Sequence, residues 1–213
     1  RTEETIAQHL YWPNIRKSVQ EHVKTCEKCQ LAKRKRLKYG HVPLKNVDTE
    51  VQPWRRLYVD CIGPYKIKRR NKSSLEFQAV TMIDPATSWF EMRQLKTKKA
   101  DEVANMVEQT WLTRYPMPEE ITFDGGPEFK AEFRKLIEEE YQLKARPSSV
   151  RNPQSNAIIE RVHGTIGNMM RTIDMTNINN TDDDPFAGVV SAICWAVRST
   201  CHTTLKARHD FLY

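Results

Sequence analysis

Apolar residues recur along this chain with two different periods, and the period changes near residue 54. Before that point the spacing is helical, because Ile15, Val19 and Val23 recur at every fourth position and therefore share one helix face. Pro13 lies near the beginning of this predicted helical stretch, where its fixed φ is tolerated. Beyond residue 54, short apolar runs bounded by turn residues alternate with longer runs of helical period, which predicts strands and helices in turn.

The second part of the chain predicts five strands and four helices. The predicted strands are residues 56–62, 75–83, 88–95, 120–123 and 143–146. The predicted helices are residues 99–114, 128–141, 153–174 and 185–200. Asp84 to Thr87 has the composition of a turn, and the polar stretch 177–184 predicts a loop. Three strands with short connections, followed by strand–helix alternation, predict an α/β fold with a mixed five-stranded sheet and flanking helices.

Composition narrows the class of partner. The chain has 213 residues, enough for one full core and a small appendage, and its formal charge of +7 favours an acidic partner such as nucleic acid. Solubility alone is the other interpretation of a basic surplus. An anionic membrane is the weaker candidate for that partner, and no membrane partner is expected. There is no run of eighteen apolar residues, so no spanning helix is predicted. Five irregularly spaced cysteines argue against a disulfide framework and favour a reducing compartment.

Three acidic residues stand in apolar or helical surroundings. Asp60 lies inside the first predicted strand, Asp124 follows the fourth, and Glu160 lies within the long predicted helix, with 35 residues between the last two. If the first and fourth strands are neighbours, Asp60 and Asp124 face each other roughly 5 Å apart. Asn156, Glu160 and His163 fall on one helix face. A single acid of this kind is more often a surface or turn residue, but three in these contexts predict one site.

The clustering of carboxylates predicts a cation. At about 4 Å and an effective dielectric near 20, each ionised pair costs roughly 4 kcal/mol. Ligands that are all oxygen suit Mg²⁺ or Mn²⁺, and two such ions can activate a nucleophile and stabilise a leaving oxygen at phosphorus. Structural roles are expected for two other acids, Asp84 in a turn and Glu128 at a helix start.

Several motifs resemble a known family. They are Tyr11-Trp12-Pro13, Cys26-x-x-Cys29, the segment from Phe123 to Phe129 and the segment from Asn152 to His163. In these motifs the chain resembles the integrase of retroviruses and of gypsy-class LTR retrotransposons, which is part of a Pol polyprotein. The resemblance implies a ribonuclease H-like catalytic core in which Asp60, Asp124 and Glu160 hold two Mg²⁺ or Mn²⁺ ions. Family members often have a larger polar residue at the position of Gly125, so the local pocket is expected to differ.

The same resemblance implies the activity and its setting. Integrases are polynucleotidyl transferases with an associated endonuclease activity: they trim the 3′ ends of the element's DNA and join them to host DNA. The expected partners are double-stranded DNA, both element ends and host target, and further copies of the chain in a homo-multimer. Integration into host DNA implies the nucleus. The expected domains are a partial zinc module at 1–30, a basic linker at 31–50 and the catalytic core at 51–213.

Cys26 and Cys29 have the spacing of two zinc ligands. In the resembled family the other two ligands are histidines about thirty residues upstream, before Arg1. Zinc is therefore expected only if that histidine pair is present. His9 and His22 are alternative ligands at positions that the family pattern does not use, and a pair of ordinary thiols is the remaining interpretation.

Residues that flank Glu160, basic residues near the same sheet edge and the basic run at 66–72 are candidate DNA contacts, because basic residues can bind phosphates without reading sequence. The candidates are Asn156, Arg161, His163, Lys144, Arg146, Lys68, Arg69 and Arg70. A hydrogen bond to nearby backbone is the alternative role for His163, and a solvated surface is the alternative for the basic run.

Two other functions are compatible with the sequence. One is a nuclease of the same fold, which the cysteine pair together with the Glu160 helix disfavours. The other is a decayed or domesticated copy that binds nucleic acid without catalysis.

Overall fold

A computed structural model of the chain describes residues 2–32, 52–69, 72–148, 153–173 and 184–200. The first segment is helical as predicted, but in three pieces: α1 (Thr2–Ala7), α2 (Ile15–Thr25) and α3 (Glu27–Ala32). Asn14, immediately before α2, has left-handed backbone geometry with φ 62°, which ends any continuous helix there. Val19 is buried, as the helical spacing predicted.

The remaining chain forms a five-stranded mixed sheet. Its strands are β1 (Arg56–Arg69), β2 (Lys72–Ile83), β3 (Phe90–Gln94), β4 (Glu120–Phe123) and β5 (Lys144–Pro147). They lie in the order β3-β2-β1-β4-β5, with β1, β2 and β3 antiparallel and β4 parallel to both β1 and β5. The predicted architecture, including the adjacency of the first and fourth strands, is confirmed.

Helices cover both faces of this sheet. On one face lie α4 (Ala100–Val107), which continues in wider turns over Glu108–Leu112, and α5 (Glu132–Lys135), which continues over Leu136–Glu140. On the other face lie α6 (Pro153–Thr172) and α7 (Ala187–Ser199). Each face has its own cluster of buried apolar side chains, which is the expected arrangement for a sheet sandwiched between helices.

The alternation of β1 determines which face receives Asp60. Leu57 and Val59 are buried in the core beneath α4 and α5, whereas Tyr58 and Ile62 pack in the core beneath α6 and α7. Since successive strand residues point to opposite faces, Asp60 shares its face with Tyr58 and Ile62. It therefore faces α6, the helix that carries Glu160.

Four element predictions need correction. β1 and β2 are longer than predicted, because beyond Tyr65 they pair with each other over a stretch rich in charged residues, where no apolar alternation marks the strand. The helix predicted for 128–141 is interrupted: a single 3₁₀ turn covers Pro127–Phe129, and Ala131 then has φ 46° before α5 begins. β5 runs from Lys144 to Pro147, so it begins and ends one residue later than the predicted strand at 143–146.

The turn predicted at Asp84 is confirmed. Asp84 is fully buried, and its carboxylate accepts hydrogen bonds from the backbone N–H groups of Ala86 and Thr87. It also accepts one from the backbone N–H of Trp54, so the carboxylate joins the turn to the chain leading into β1. Among the described residues, no helix is long and apolar enough to cross a membrane.

Candidate active site

Asp60 lies on β1, and Asp124 immediately follows the neighbouring parallel strand β4. The register of β1 and β4 pairs Tyr58 with Thr122. Continued for two more residues along both segments, this register would bring Asp60 opposite Asp124. The strand adjacency on which the predicted juxtaposition of the two acids depends is therefore present in the fold.

Backbone amides fix one oxygen of each carboxylate. The N–H of Cys61 donates to Oδ1 of Asp60 over 2.8 Å. The N–H of Gly126 donates to Oδ1 of Asp124 over 2.9 Å. Hydrogen bonds to a charged acceptor are short and strong, so both carboxylates are held in defined orientations.

Burial dominates the electrostatics of Asp60. The pKa of this carboxyl is raised from 3.8 to about 6; burial is the largest cause, and the negative charges of Asp124 and Glu128 act in the same direction. The Cys61 hydrogen bond and the nearby Lys98 ammonium lower the same pKa but do not cancel the effect of burial. The fold therefore brings together carboxylates that repel each other, which is the condition that a bound cation would relieve.

Glu128 and Lys98 belong to this site although sequence reasoning did not place them there. A Cβ built on Gly126 would lie 2.9 Å from Oδ1 of Asp124 and 2.5 Å from Oε2 of Glu128, so these two carboxylates lie around Gly126. Glu128 does lie in the first turn of a helical segment, as predicted, but this segment is a single 3₁₀ turn that ends at Phe129. Its closeness to Asp124 in sequence was the available signal; no comparable signal pointed to Lys98.

Lys98 reaches the site from the connection between β3 and α4. Its Nζ donates to the backbone oxygen of Gly63 over 2.8 Å. Gly63 has φ 88°, and an added Cβ would collide with the backbone of Phe77, so this position requires glycine. The lysine is thus anchored on β1, three residues beyond Asp60.

His163 connects α6 to Asp60. Its Nδ1 lies 3.6 Å from Oδ2 of Asp60, and its Nε2 lies 2.8 Å from Oγ1 of Thr81. Burial lowers the pKa of His163 to about 4, so the imidazole is neutral at neutral pH and its contact with Asp60 is not an ion pair. His163 was predicted to contact DNA; the structure gives it partners inside the protein.

Glu160 and Asn156 lie in α6, but their side chains are outside those that the structure describes. Glu160 precedes His163 by three residues, and residues at that spacing are neighbours on a helix surface. Among the described residues, no three histidine, cysteine or acidic side chains are gathered closely enough to hold a metal ion. The third ligand of the predicted site therefore depends on Glu160.

The predicted DNA contacts have different surroundings. Arg161 and Lys144 are exposed. Arg146 is half-exposed and lies 3.2 Å from Glu120, which also pairs with Arg56. Lys68 and Arg69 lie at the end of β1 with side chains outside the described set, and Arg70 lies outside the described residues altogether.

Cys26 lies between α2 and α3, where its backbone N–H donates to the oxygen of His22. Cys29 lies within α3, and its side chain is not among those described. His9 and His22 are both exposed. The zinc-ligand assignment of the cysteine pair stays a prediction.

Comparison with protein families gives one match at the N-terminal end of the chain. Residues 1–35 match the family described as the integrase zinc binding domain. This segment contains α1 to α3 and both cysteines.

Curated relatives include two transposon polyproteins of Schizosaccharomyces pombe, Tf2-3 and Tf2-4. Each is 26% identical to this chain over 183 residues, which cover 84% of the chain. The chain spans about 13% of the length of these polyproteins.

Solved structures share the fold. The simian T-cell lymphotropic virus intasome, in complex with a PP2A regulatory subunit, has an aligned chain with a TM-score of 0.63 and 15% identity over 98% of this chain and 69% of that one. The HTLV-2 integrase catalytic core with magnesium has a TM-score of 0.54 and 14% identity, and the alignment covers 74% of this chain and 94% of that one. The BIV integrase catalytic core has a TM-score of 0.54 and 14% identity, and the alignment covers 75% of this chain and 93% of that one.

These three comparisons agree with one another. The match to the zinc-binding domain, the polyprotein relatives and the ribonuclease H-like fold of the core together support an integrase of a Pol polyprotein.

Proposed function

We propose that this chain catalyses metal-dependent DNA transfer: it trims the 3′ ends of an element's DNA and joins them to host DNA. The observation that carries the proposal is that Asp60 lies on β1 and Asp124 directly follows the adjacent parallel strand β4, with α6, the helix of Glu160, on the sheet face that Asp60 shares. With Glu160, this arrangement would supply carboxylate oxygens from three distant parts of the chain to one location.

The donor set suits hard divalent cations. Asp60, Asp124 and Glu160 would hold two Mg²⁺ or Mn²⁺ ions, because these ions prefer oxygen ligands. Support comes from the raised pKa of Asp60, which shows that burial and neighbouring carboxylates destabilise its charge in the absence of a counter-ion. When bound, such ions supply activation of a hydroxyl nucleophile and stabilisation of the leaving oxygen at phosphorus.

Backbone groups of the chain orient the carboxylates that would bind the ions. The Cys61 and Gly126 amides each hold one aspartate, so one oxygen of each carboxylate is already fixed before a cation binds. Trimming uses water and joining uses a 3′ hydroxyl; both are hydroxyl attacks at a phosphodiester, so one site serves both steps. A covalent enzyme intermediate is not required.

DNA and further copies of the chain are the proposed partners. The net charge of +7 supports nucleic-acid binding, and exposed Arg161 lies next to Glu160 in α6. Intasome and trimeric core structures among the similar proteins support assembly into a multimer. Joining to host chromosomes places the proposed activity in the nucleus.

A strand-transfer assay with Asp124→Asn tests the proposal. The amide keeps the size of the side chain but removes a ligand charge, and we expect at least roughly a hundredfold loss of DNA joining, because several kcal/mol of transition-state stabilisation depend on the metal. Asp101→Asn is the matched control, since Asp101 is exposed in α4 on the other face of the sheet. Retained joining by Asp124→Asn would refute the catalytic assignment. Binding of DNA by the unmodified chain without cleavage or joining would favour the non-catalytic alternative.

A further inference from the structure

Thr81 makes two hydrogen bonds with one hydroxyl group. It is fully buried in β2, and its Oγ1 donates to the backbone oxygen of Asp60 over 2.9 Å. The same Oγ1 lies 2.8 Å from Nε2 of His163. A carbonyl oxygen can only accept, so the single hydroxyl proton of Thr81 is committed to Asp60.

The direction of the second hydrogen bond follows. Since Thr81 has no further proton to give, the Nε2–H of His163 must donate to Oγ1. A neutral imidazole carries one N–H, so the Nδ1 that faces Oδ2 of Asp60 is then unprotonated. Thr81 thereby selects one tautomer of His163.

This hydrogen-bonded chain crosses three elements. Asp60 and Thr81 are directly paired across β1 and β2, and His163 lies on α6. Ile166, three residues after His163, is fully buried in the core between α6 and the sheet. The same face of α6 thus makes two kinds of contact with the sheet. The apolar contact of Ile166 sets the distance between the helix and the sheet. The directional contact of His163 sets the rotation of the helix about its axis and its position along the sheet.

The choice of threonine calls for a reason beyond packing. Thr81 lies in the sheet face that also contains Phe77, Ala79 and Ile83, all fully buried. Valine has nearly the same shape as threonine and would fill this place equally well. Threonine also buries a hydroxyl group, and burying a hydroxyl group costs free energy unless that group is hydrogen-bonded. The hydroxyl is therefore best explained by the two groups that it joins.

We infer that Thr81 and His163 are positioning residues, which lock the α6 turn carrying Glu160 against the strand carrying Asp60 through a tautomer-specific hydrogen-bonded chain. This inference rests on the proposed function, because its purpose is to bring the carboxylates of a metal site together before the ions bind. Neither residue is required to touch metal or DNA.

Matched variants separate the hydrogen bonds from side-chain volume. Thr81→Val keeps the shape and removes both hydrogen bonds, whereas Thr81→Ser keeps the hydroxyl. His163→Gln retains an amide N–H at the position of Nε2, whereas His163→Asn moves the amide to the position of Nδ1. We expect Thr81→Val and His163→Asn to weaken Mn²⁺ binding by roughly tenfold or more, as loss of groups that orient metal ligands does. Thr81→Ser and His163→Gln should recover most of that loss.

Mn²⁺ binding to the full 213-residue chain is measured by calorimetry, beside thermal unfolding of each variant. Unchanged Mn²⁺ affinity in a folded Thr81→Val protein would overturn the inference. A second measurement needs no variant: ¹⁵N NMR of the unmodified protein at neutral pH should show Nε2 of His163 as the protonated ring nitrogen. Protonation at Nδ1 instead would overturn the inference as well.

The two proposals fail in different ways. If the unmodified chain binds no Mn²⁺ and joins no DNA, the proposed function fails, and the positioning role inferred from it falls with it even where the NMR result shows the Nε2–H tautomer. A different result refutes only the positioning role. In that case the unmodified chain binds Mn²⁺ and the Asp124→Asn variant does not, but the Thr81→Val variant has the same Mn²⁺ affinity as the unmodified chain.

Discussion

The backbone N–H of Gly126 donates to Oδ1 of Asp124, and the carboxylates of Asp124 and Glu128 occupy the space beside that glycine. A Cβ at Gly126 would lie 2.9 Å from the same Oδ1 and 2.5 Å from Oε2 of Glu128. Gly125, its neighbour, has nothing within 4 Å of an equivalent Cβ. Two adjacent glycines therefore differ sharply in what they contribute to the site.

This contrast predicts different effects of two alanine substitutions. Gly126→Ala should lower Mn²⁺ affinity and DNA joining by roughly tenfold, because the methyl group displaces carboxylates whose orientation the site needs. The free energy of unfolding should change by only about 1 kcal/mol, since flexible side chains can move aside. Calorimetry and urea unfolding measure the two quantities.

Gly125→Ala is the matched control and should leave Mn²⁺ affinity and joining close to those of the unmodified chain. Equal losses in the two variants would show that the carboxylates around Gly126 are not the reason for its effect.

Asp60 should make the stability of the metal-free chain depend on pH. Its pKa is 3.8 in the unfolded chain and about 6 in the folded one, so the folded state binds the proton more tightly. The stability that this group contributes is therefore lost as the pH rises from about 4 to 6, by about 3 kcal/mol. Asp60→Asn removes this loss, so its advantage over the unmodified chain should grow between those pH values.

Urea unfolding in EDTA across this pH range measures the difference. His163 has a pKa lowered to about 4 and acts in the opposite direction, with stability rising with pH up to its ordinary value of 6.5. Because the His163 contribution is present in both proteins, the comparison with Asp60→Asn isolates the carboxyl. Parallel stability curves for the two proteins would contradict the raised pKa.

Phe133 should be a major determinant of stability next to the site. It is fully buried, with ring centroids 5.3 Å from Phe123 and 5.1 Å from Phe129. Phe133→Ala should cost about 4 kcal/mol in the free energy of unfolding, because it leaves a cavity and removes aromatic contacts. Leu10→Ala, at a position 63% exposed, should cost less than about 0.5 kcal/mol. Urea midpoints that moved equally would argue against this packing.

Arg161 should contribute a phosphate contact. Loss of one such contact lowers the slope of log K against log salt by about 0.9, so Arg161→Gln should bind DNA more weakly and with a smaller salt slope. Lys135→Gln removes one exposed charge from α5, on the other face of the sheet, and serves as the control. Fluorescence anisotropy at several salt concentrations measures both slopes. An unchanged slope for Arg161→Gln would remove this residue from the DNA interface.

The five strands and the two aspartates could be predicted because their signals are local. Asp60 and Asp124 each interrupt or end an apolar run, and the order of strands and helices restricts how those runs can pair. The interruption near Ala131 could not be predicted in this way, because the apolar spacing of Phe129 and Phe133 reads as one helix. In the structure, both rings pack against Phe123 although the helix is broken between them.

Local patterns predicted the α/β architecture, the two aspartates and the helix that carries Glu160, because hydrophobic period and turn chemistry act over a few residues. The adjacency of β1 and β4 was implied by the family resemblance, and the convergence of Lys98, Thr81 and His163 on Asp60 is visible only in the folded chain. These residues come from segments separated by up to about a hundred positions, and their contacts depend on how helices settle against the sheet. A hydrogen bond with a required direction, such as that from His163 to Thr81, leaves no trace in local periodicity.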